Sequence, residues 1–300
     1  MPQTDWLDLY FDRIGFRGPV APTLAVLRQL HALHPQTIPF ENLAPYSGQP
    51  VSLALDDLVD KLLRRRRGGY CFEHNALFME VLTRLGFAVT PLLARVRWQV
   101  PQMVQTGLTH MLLQVDLQGR GWFADVAFGS TTQTAPLAAL PQVPQSTPHG
   151  RFRLMPEAAH WRLEFETAVG WQPVYCFGLT PAASVDREIG NWFTATHPQS
   201  VFRLDLLVSR TLPGARESML NAVYTRRGNE GGLERFCYTE AAAWADCLRG
   251  RFGLDLPAQE AAALFDRALR RSQAAGASTL DGSPGAARPR AADTTSCRSG

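Results

Sequence analysis

Up to about residue 87 the apolar positions recur every three or four places, the spacing of one buried helix face. Thr4 or Asp5 is a candidate cap for a short helix through Arg13 that ends near Gly15. Thr23 precedes Leu24, Leu27, Leu30 and Leu33, and Pro35 is expected to stop that helix. Ser52 or Asp56 opens a third helix through Leu58, Leu62 and Leu63 into the run Arg64 to Arg67, which Gly68-Gly69 breaks. A fourth begins near Cys71, carries Leu77, Val81, Leu82 and Leu85, and stops at Gly86. From Phe87 the period changes. The runs Val89–Val96, Met111–Leu117, Trp122–Phe128, Phe152–Leu154, Trp161–Phe165 and Pro173–Phe177 are short and punctuated by Gly, Pro and polar residues, which predicts an antiparallel sheet or small barrel. Pro136 to Pro148 reads as a surface loop and Asn191 to Arg203 as irregular. Leu204–Val208, Met219–Thr225 and Glu234–Tyr238 read as strands, followed by helices over Ala241–Arg249 and Ala258–Arg270. After Ser272 an Ala/Gly/Ser/Pro/Arg composition without apolar period predicts a disordered tail.

Composition narrows the function classes. A net charge of +3 over 300 residues is too small and too spread for a generic nucleic-acid binder. The five cysteines, Cys71, Cys176, Cys237, Cys247 and Cys297, are widely spaced and form no CxxC pair, so neither a zinc site nor a disulfide framework is indicated. The N-terminus lacks a signal-peptide pattern, and no apolar run is long enough to span a bilayer. These features point to a reducing cytosol, no membrane, no nucleic acid and no metal. Arginine supplies nearly all the positive charge, since Lys61 is the only lysine.

Candidate chemistry lies at Arg67-Gly68-Gly69-Tyr70-Cys71-Phe72-Glu73. A cysteine attacks carbonyl carbon as the thiolate, and a helix N-terminus offers unpaired N–H groups and partial positive charge to stabilise it. The glycines permit a backbone path that side chains would block. A buried structural cysteine is the competing reading. His110 begins one strand, in Thr109-His110-Met111, and Asp125 ends the next, in Trp122-Phe123-Ala124-Asp125. A carboxylate there can orient the imidazole through Nδ1–H. If Gln118 faces Gly121 across the turn, His110 faces Gly129 and Asp125 lies four residues off the direct pair. At about 3.3 Å per residue that is beyond a hydrogen bond, so a bulge or another register is required.

The chain resembles the arylamine N-acetyltransferase family. The segments that carry the resemblance are Ile38-Pro39-Phe40-Glu41-Asn42-Leu43, Arg67 to Asn75, Thr109-His110-Met111, Asp125-Val126-Ala127-Phe128-Gly129, and Asn191-Trp192-Phe193-Thr194-Ala195-Thr196-His197-Pro198. The resemblance implies an α+β fold: an N-terminal helical bundle over 1–88 bearing the nucleophile, and a central antiparallel β-barrel over 89–200 bearing His and Asp. A C-terminal α/β lid over 201–272 and a tail over 273–300 complete it, around a papain-like cysteine catalytic core. It also implies Cys71 as nucleophile, His110 as base and Asp125 as orienter, moving acetyl from acetyl-coenzyme A to arylamines, hydrazines or arylhydroxylamines by a ping-pong route. Phe40, Tyr70, Phe128 and Phe202 are expected around the acceptor. Gly129, Ser130 and Thr131 are expected against coenzyme A, with no metal. Glu41 and Arg67 are expected as a buried ion pair, and Arg64 to Arg66 as a solvated helix end. Ala127 departs from the family, which usually has glycine there. An amide synthase of the same fold, a thiol hydrolase and a non-catalytic binding protein are the rival readings.

Overall fold

The computed structural model describes residues 5–278. Helix α1 (Trp6–Ile14) starts where the Asp5 carboxylate accepts the Leu7 N–H and ends at Gly15 in the left-handed region, φ 71°. Helix α2 (Leu24–Thr37) is capped by Thr23, which accepts from the Val26 N–H. Pro35 does not stop it: the helix continues to Thr37, and the Ile38 N–H still reaches the His34 carbonyl. Proline costs the helix one bond, the one to the carbonyl of His31. Strand β1 (Phe40–Glu41) and the short helix α3 (Leu43–Ser47) follow. Helix α4 (Leu55–Leu58) runs into a π-helical turn, Val59–Arg64, and helix α5 (Cys71–Arg84) begins at Cys71.

The central sheet comprises β2 (Ala88–Val96), β3 (Leu108–Leu117), β4 (Arg120–Ala124), β5 (Leu137–Ala138), β6 (Gln145–Thr147), β7 (Gly150–Glu157), β8 (His160–Thr167) and β9 (Gly170–Phe177). It is antiparallel in the order β5-β4-β3-β2-β9-β8-β7-β6. Its edges meet through one side chain. The Gln145 amide accepts the Ala138 N–H at 2.8 Å and donates to the Ala138 carbonyl at 2.9 Å, imitating a ladder pair between β6 and β5. This nearly closes the barrel over a core that includes Leu92, Leu112, Phe123, Phe152 and Phe177. The supposed loop from Pro136 to Pro148 therefore supplies both edge strands.

Helix α6 (Ser184–Thr196) and the single turn α7 (Val201–Leu204) occupy the region read as irregular. A second antiparallel sheet contains β10 (Leu207–Leu212), β11 (Ala215–Leu220), β12 (Val223–Gly228) and β13 (Leu233–Cys237), in the order β1-β10-β11-β12-β13. The run Met219–Thr225 is two strands rather than one, because Asn221 turns the chain at φ 55°. Helices α8 (Ala241–Phe252) and α9 (Ala258–Ser278) pack on this sheet around buried Trp244. Since β1 belongs to the same sheet, a boundary at residue 88 cuts across it. Helix α9 also runs six residues past the expected boundary at 272; Cys297 and the rest of the expected tail from 279 on lie outside the described residues. Among the described residues no helix is long and apolar enough to cross a membrane.

Candidate active site

The Cys71 loop is fixed by close backbone approach. A β-carbon on Gly68 would lie 2.1 Å from the Pro39 carbonyl oxygen, and one on Gly69 would lie 2.6 Å from Glu73 Oε2. Only glycine fits there, although neither residue has a positive φ. Glu73 Oε2 accepts the Tyr70 N–H at 3.1 Å, tying down the residue before the helix. Its other oxygen meets Lys61 Nζ at 2.6 Å, which is where the only lysine is used. Burial disfavours both charges. For Lys61 the Glu73 and Glu41 carboxylates outweigh it and raise the ammonium pKa, whereas for Glu73 burial prevails and lifts the carboxyl. The short contact and the Tyr70 donor hold the ionised pair. Glu41, completely buried, accepts from Leu43 N at 2.6 Å and from Arg67 Nη2 at 3.2 Å. Burial would raise its carboxyl, but Lys61 and Arg67 bring it below the ordinary value. The expected Glu41–Arg67 pair is thus one edge of a larger network, and Arg64, Arg65 and Arg66 are exposed.

The β3–β4 turn settles the register. Leu117 pairs with Arg120 and Leu113 with Ala124, so the turn is the two residues Gln118-Gly119, at φ 56° and 75°. Both in the left-handed region is the type I′ signature. The expected register set each β4 partner two residues too far along. With the correct one, His110 projects opposite Ala127 and Asp125 is its diagonal neighbour, within reach of a side chain. No bulge is needed between β3 and β4; one exists between β2 and β3. Ala94 pairs with His110 and Arg95 with Leu108, leaving Thr109 as the extra residue. The Thr109 carbonyl lies 3.8 Å from Cys71 Sγ.

His110 Nε2 lies 2.8 Å from Asp125 Oδ2, with both side chains buried. The orientation corrects the expectation: Asp125 engages Nε2, not Nδ1, leaving Nδ1 as the other ring nitrogen of the group that hydrogen-bonds Cys71. Burial opposes an imidazolium here. Asp125 and Cys71 outweigh it and raise His110 to about 10. Asp125 moves the other way: burial would raise it, but His110, Asn75 and the Ala127 N–H hold it below the ordinary carboxylate value.

Sequence reading missed the residues that hold Asp125. Strand β4 ends at Ala124, so the following N–H groups need new acceptors. Asp125 N donates to His31 Nε2 at 3.1 Å, Val126 N to Asn75 Oδ1 at 3.2 Å, Ala127 N to Asp125 Oδ1 at 3.1 Å, and Phe128 N to Thr132 Oγ1 at 2.7 Å. Asn75 Nδ2 also donates to Asp125 Oδ1 at 3.0 Å and to the Met111 carbonyl at 2.8 Å. The Tyr175 hydroxyl reaches Asp125 as well, and its ring lies 4.9 Å from that of His110. The signal for Asn75 was present, four residues past Cys71 on the same helix face. None existed for His31 or Tyr175.

The aromatic candidates separate. Phe128 packs edge-on to His110 at 4.9 Å and is half-buried, and Phe202 contacts Phe40 at 6.0 Å and Tyr70 at 5.2 Å. Tyr70 has no exposed surface and its hydroxyl bonds Asn191 Oδ1, so it packs rather than lines a pocket. Phe40 and Gly129 share a cavity of about 10 Å³ with Val126, Thr132 and Ser209, too small for an aromatic ring. Ser130 is exposed, whereas Thr131 is buried with its N–H on the Phe128 carbonyl. Ala127 is also fully buried, so its methyl fits the backbone path. His197 stacks on Phe193 at 4.4 Å. Among the described residues, no group of His, Cys, Asp or Glu is arranged to hold a metal.

A thiol at a helix start, brought against a buried imidazole–carboxylate pair from an adjoining antiparallel barrel, defines an α+β acyltransferase with a papain-like core. Residues 23–261 match the N-acetyltransferase family. The chain belongs to the arylamine N-acetyltransferase family. It is 40% identical over 252 residues to the arylamine N-acetyltransferase / N-hydroxyarylamine O-acetyltransferase of Salmonella typhimurium, covering 84% of this chain and 89% of the relative. A solved arylamine N-acetyltransferase from that organism superposes with TM-score 0.84 at 38% identity, covering 88% of this chain and 99% of that one. The Mycobacterium marinum enzyme, solved in complex with CoA, gives TM-score 0.83 at 36% identity, covering 88% and 98%.

The buried histidines also shape stability. Burial pushes His31 and His74 down to about 4, and His34 also falls well below its ordinary value. Unfolded, each takes up a proton near pH 6.5; folded, His31 and His74 do so only near 4. Stability should therefore fall as pH drops from about 6.5 towards 4, with about 3 kcal/mol at stake for each of His31 and His74. His110 acts oppositely, its contribution being full below about 6.5 and fading as pH rises towards 10. Urea unfolding between pH 6.5 and 5, where most carboxylates are ionised and the lifted Glu73 carboxyl acts in the opposite sense, measures the histidine slope. A flat free energy there would show that these imidazoles protonate as readily folded as unfolded.

Proposed function

We propose that Cys71 takes acetyl from acetyl-coenzyme A and passes it to an arylamine, hydrazine or arylhydroxylamine, with His110 as proton carrier and Asp125 as its orienter. The supporting observation is the 2.8 Å His110–Asp125 bond beside the Cys71 thiol at the start of α5. The thiolate attacks the thioester carbonyl, aided by main-chain N–H groups at the helix start, that of Cys71 among them. The tetrahedral adduct collapses, the coenzyme A sulfur leaves, and the His110 imidazolium protonates it. The amine then attacks acetyl-Cys71, His110 takes the proton shed by nitrogen, and the Cys71 thiolate departs. Phe128 and Phe202 offer partly open apolar rings for a flat acceptor, and Gly129 and Ser130 an approach for coenzyme A. Cys71 is a free thiol, as thiol chemistry in a reducing cytosol requires.

Intact mass after mixing the full chain with acetyl-coenzyme A tests this reading. One added acetyl group is expected, lost on adding an arylamine with release of the N-acetyl product. No covalent adduct, with the amine nevertheless acetylated, would replace ping-pong with direct transfer. No acetylation under any condition would point to another acyl donor.

A further inference from the structure

Three histidines lie buried behind Cys71, His110 and Asp125, and no step above uses them. Donor logic fixes the protons on each. His74 Nε2 faces only carbonyls, Pro39 at 3.2 Å and Gly69 at 3.0 Å, so it carries hydrogen. Its Nδ1 therefore accepts from His34 Nε2 at 2.8 Å, and His34 Nδ1 accepts from the Tyr10 hydroxyl at 2.9 Å. That chain ends on the backbone of the Cys71 loop and is complete.

His31 stands apart from it. Its Nε2 lies 3.1 Å from the main-chain nitrogen of Asp125, which can only donate, so Nε2 is an acceptor and the proton sits on Nδ1. Nδ1 is buried without a hydrogen-bond partner.

We propose that His31 is a positioning residue for acetyl transfer: its neutral imidazole holds the Asp125 N–H and so sets the Asp125 carboxylate against His110. The inference rests on the role given above to the Cys71–His110–Asp125 group. His31 has no exposed surface, and burial keeps it neutral down to about pH 4, so the acceptor persists throughout the working range. It is faced by Asp125 from the segment after β4, by His34 on its own helix, and by the Phe78 ring of α5 at 6.0 Å. His110 is faced by Asp125, Cys71 and the Tyr175 ring of β9. Phe128 also packs on the ring, but among the charged groups facing it only the Asp125 carboxylate is carried by the segment that His31 holds.

The test compares His31→Phe, which keeps a ring without an acceptor, with His31→Gln, whose amide oxygen can take the place of Nε2. Iodoacetamide alkylation of Cys71 is followed against pH, together with kcat and KM for acetyl-coenzyme A. In His31→Phe alkylation of Cys71 at neutral pH should slow about tenfold, because a misplaced carboxylate leaves His110 a poorer partner for the thiolate. The kcat should fall about tenfold with KM unchanged, and His31→Gln should restore both. An unchanged alkylation rate in a folded His31→Phe would make His31 merely structural and overturn the proposal. If His31→Phe does not fold, His31→Leu, which also lacks an acceptor, takes its place: slowed alkylation and a lowered kcat in the folded chain uphold the proposal, and wild-type values overturn it. Failure of the underlying reading is visible separately, because the wild-type chain would then form no acetyl adduct at Cys71 with acetyl-coenzyme A.

Discussion

Cys71→Ala should lower acetyl transfer by about 10⁴-fold or more while leaving the chain folded. The expectation follows from where the sulfur sits. It is the first residue of α5, almost completely buried, and its polar contacts include the Thr109 carbonyl at 3.8 Å and His110. Losing one buried sulfur costs about 1 kcal/mol, far less than the loss of the only atom placed to accept acetyl. The supports of the loop are untouched by the change: Lys61 on Glu73, Glu73 on Tyr70 N, and His74 on the Pro39 and Gly69 carbonyls. A second signature accompanies the loss. Cys71 is one of the two groups that raise His110, so the imidazole in the variant should titrate lower than in the wild type, readable by NMR. Measurable turnover by a folded variant, with His110 unchanged, would remove Cys71 from the reaction.

Much of this site is legible in the amino-acid sequence, and what escapes has definite causes. The Cys71 loop stands out because two adjacent glycines before a helical period have few explanations, although the reason is the nearness of Pro39 and Glu73 rather than a special φ. The pairing of His110 with Asp125 is legible in kind and wrong in register. Gln118-Gly119 makes a two-residue hairpin turn without the Asn-Gly or Asp-Gly signal, so the residues do not place it there rather than one position further on. Helix α6 escapes although Val185, Ile189, Trp192 and Phe193 follow a helical period. That stripe faces solvent, while the buried side is Gly190, Asn191, Thr194 and Ala195, which in sequence reads as polar and irregular. Asn191 turns inward to hold the Tyr70 hydroxyl and the Val51 carbonyl.

His31 and Tyr175 are invisible in the sequence for a different reason. Their contacts join elements far apart in the chain, α2 and β9 with the end of β4, and no local period records such a meeting. The same distance explains the barrel seam. Gln145 looks like one polar residue in a proline-rich loop until Ala138 is brought alongside. Local patterns give helices, turns and the loop around the thiol; the set of groups that aim Asp125 emerges only with the topology.

Asp125→Asn should cut kcat by about 10³–10⁴-fold with little change in fold. An amide is not always fatal in this position, since papain-like sites use asparagine to orient histidine. Here the surroundings decide against it. Asp125 Oδ1 receives hydrogen bonds from Asn75 Nδ2 at 3.0 Å and Ala127 N at 3.1 Å, so an oxygen must stay in that place. The amide NH₂ of asparagine is then forced into the position of Oδ2, opposite His110 Nε2. An N–H facing Nε2 makes that nitrogen an acceptor and moves the ring proton to Nδ1, towards Cys71. An imidazole so protonated cannot take the thiol proton, and the imidazolium loses the carboxylate that raised it. The two effects compound, because the wrong tautomer prevents ion-pair formation and the missing charge no longer stabilises it. Steady-state kcat with an arylamine acceptor measures the loss, and alkylation of Cys71 at neutral pH should slow in parallel. Asn75→Ala in the same chain supplies the contrast: with one of the donors that fix the oxygen gone, the amide of Asp125→Asn has less reason to keep its wrong face to His110, so the double variant should recover part of the lost kcat. A kcat within a few-fold of wild type in the single variant would mean that some group other than Asp125 aligns His110.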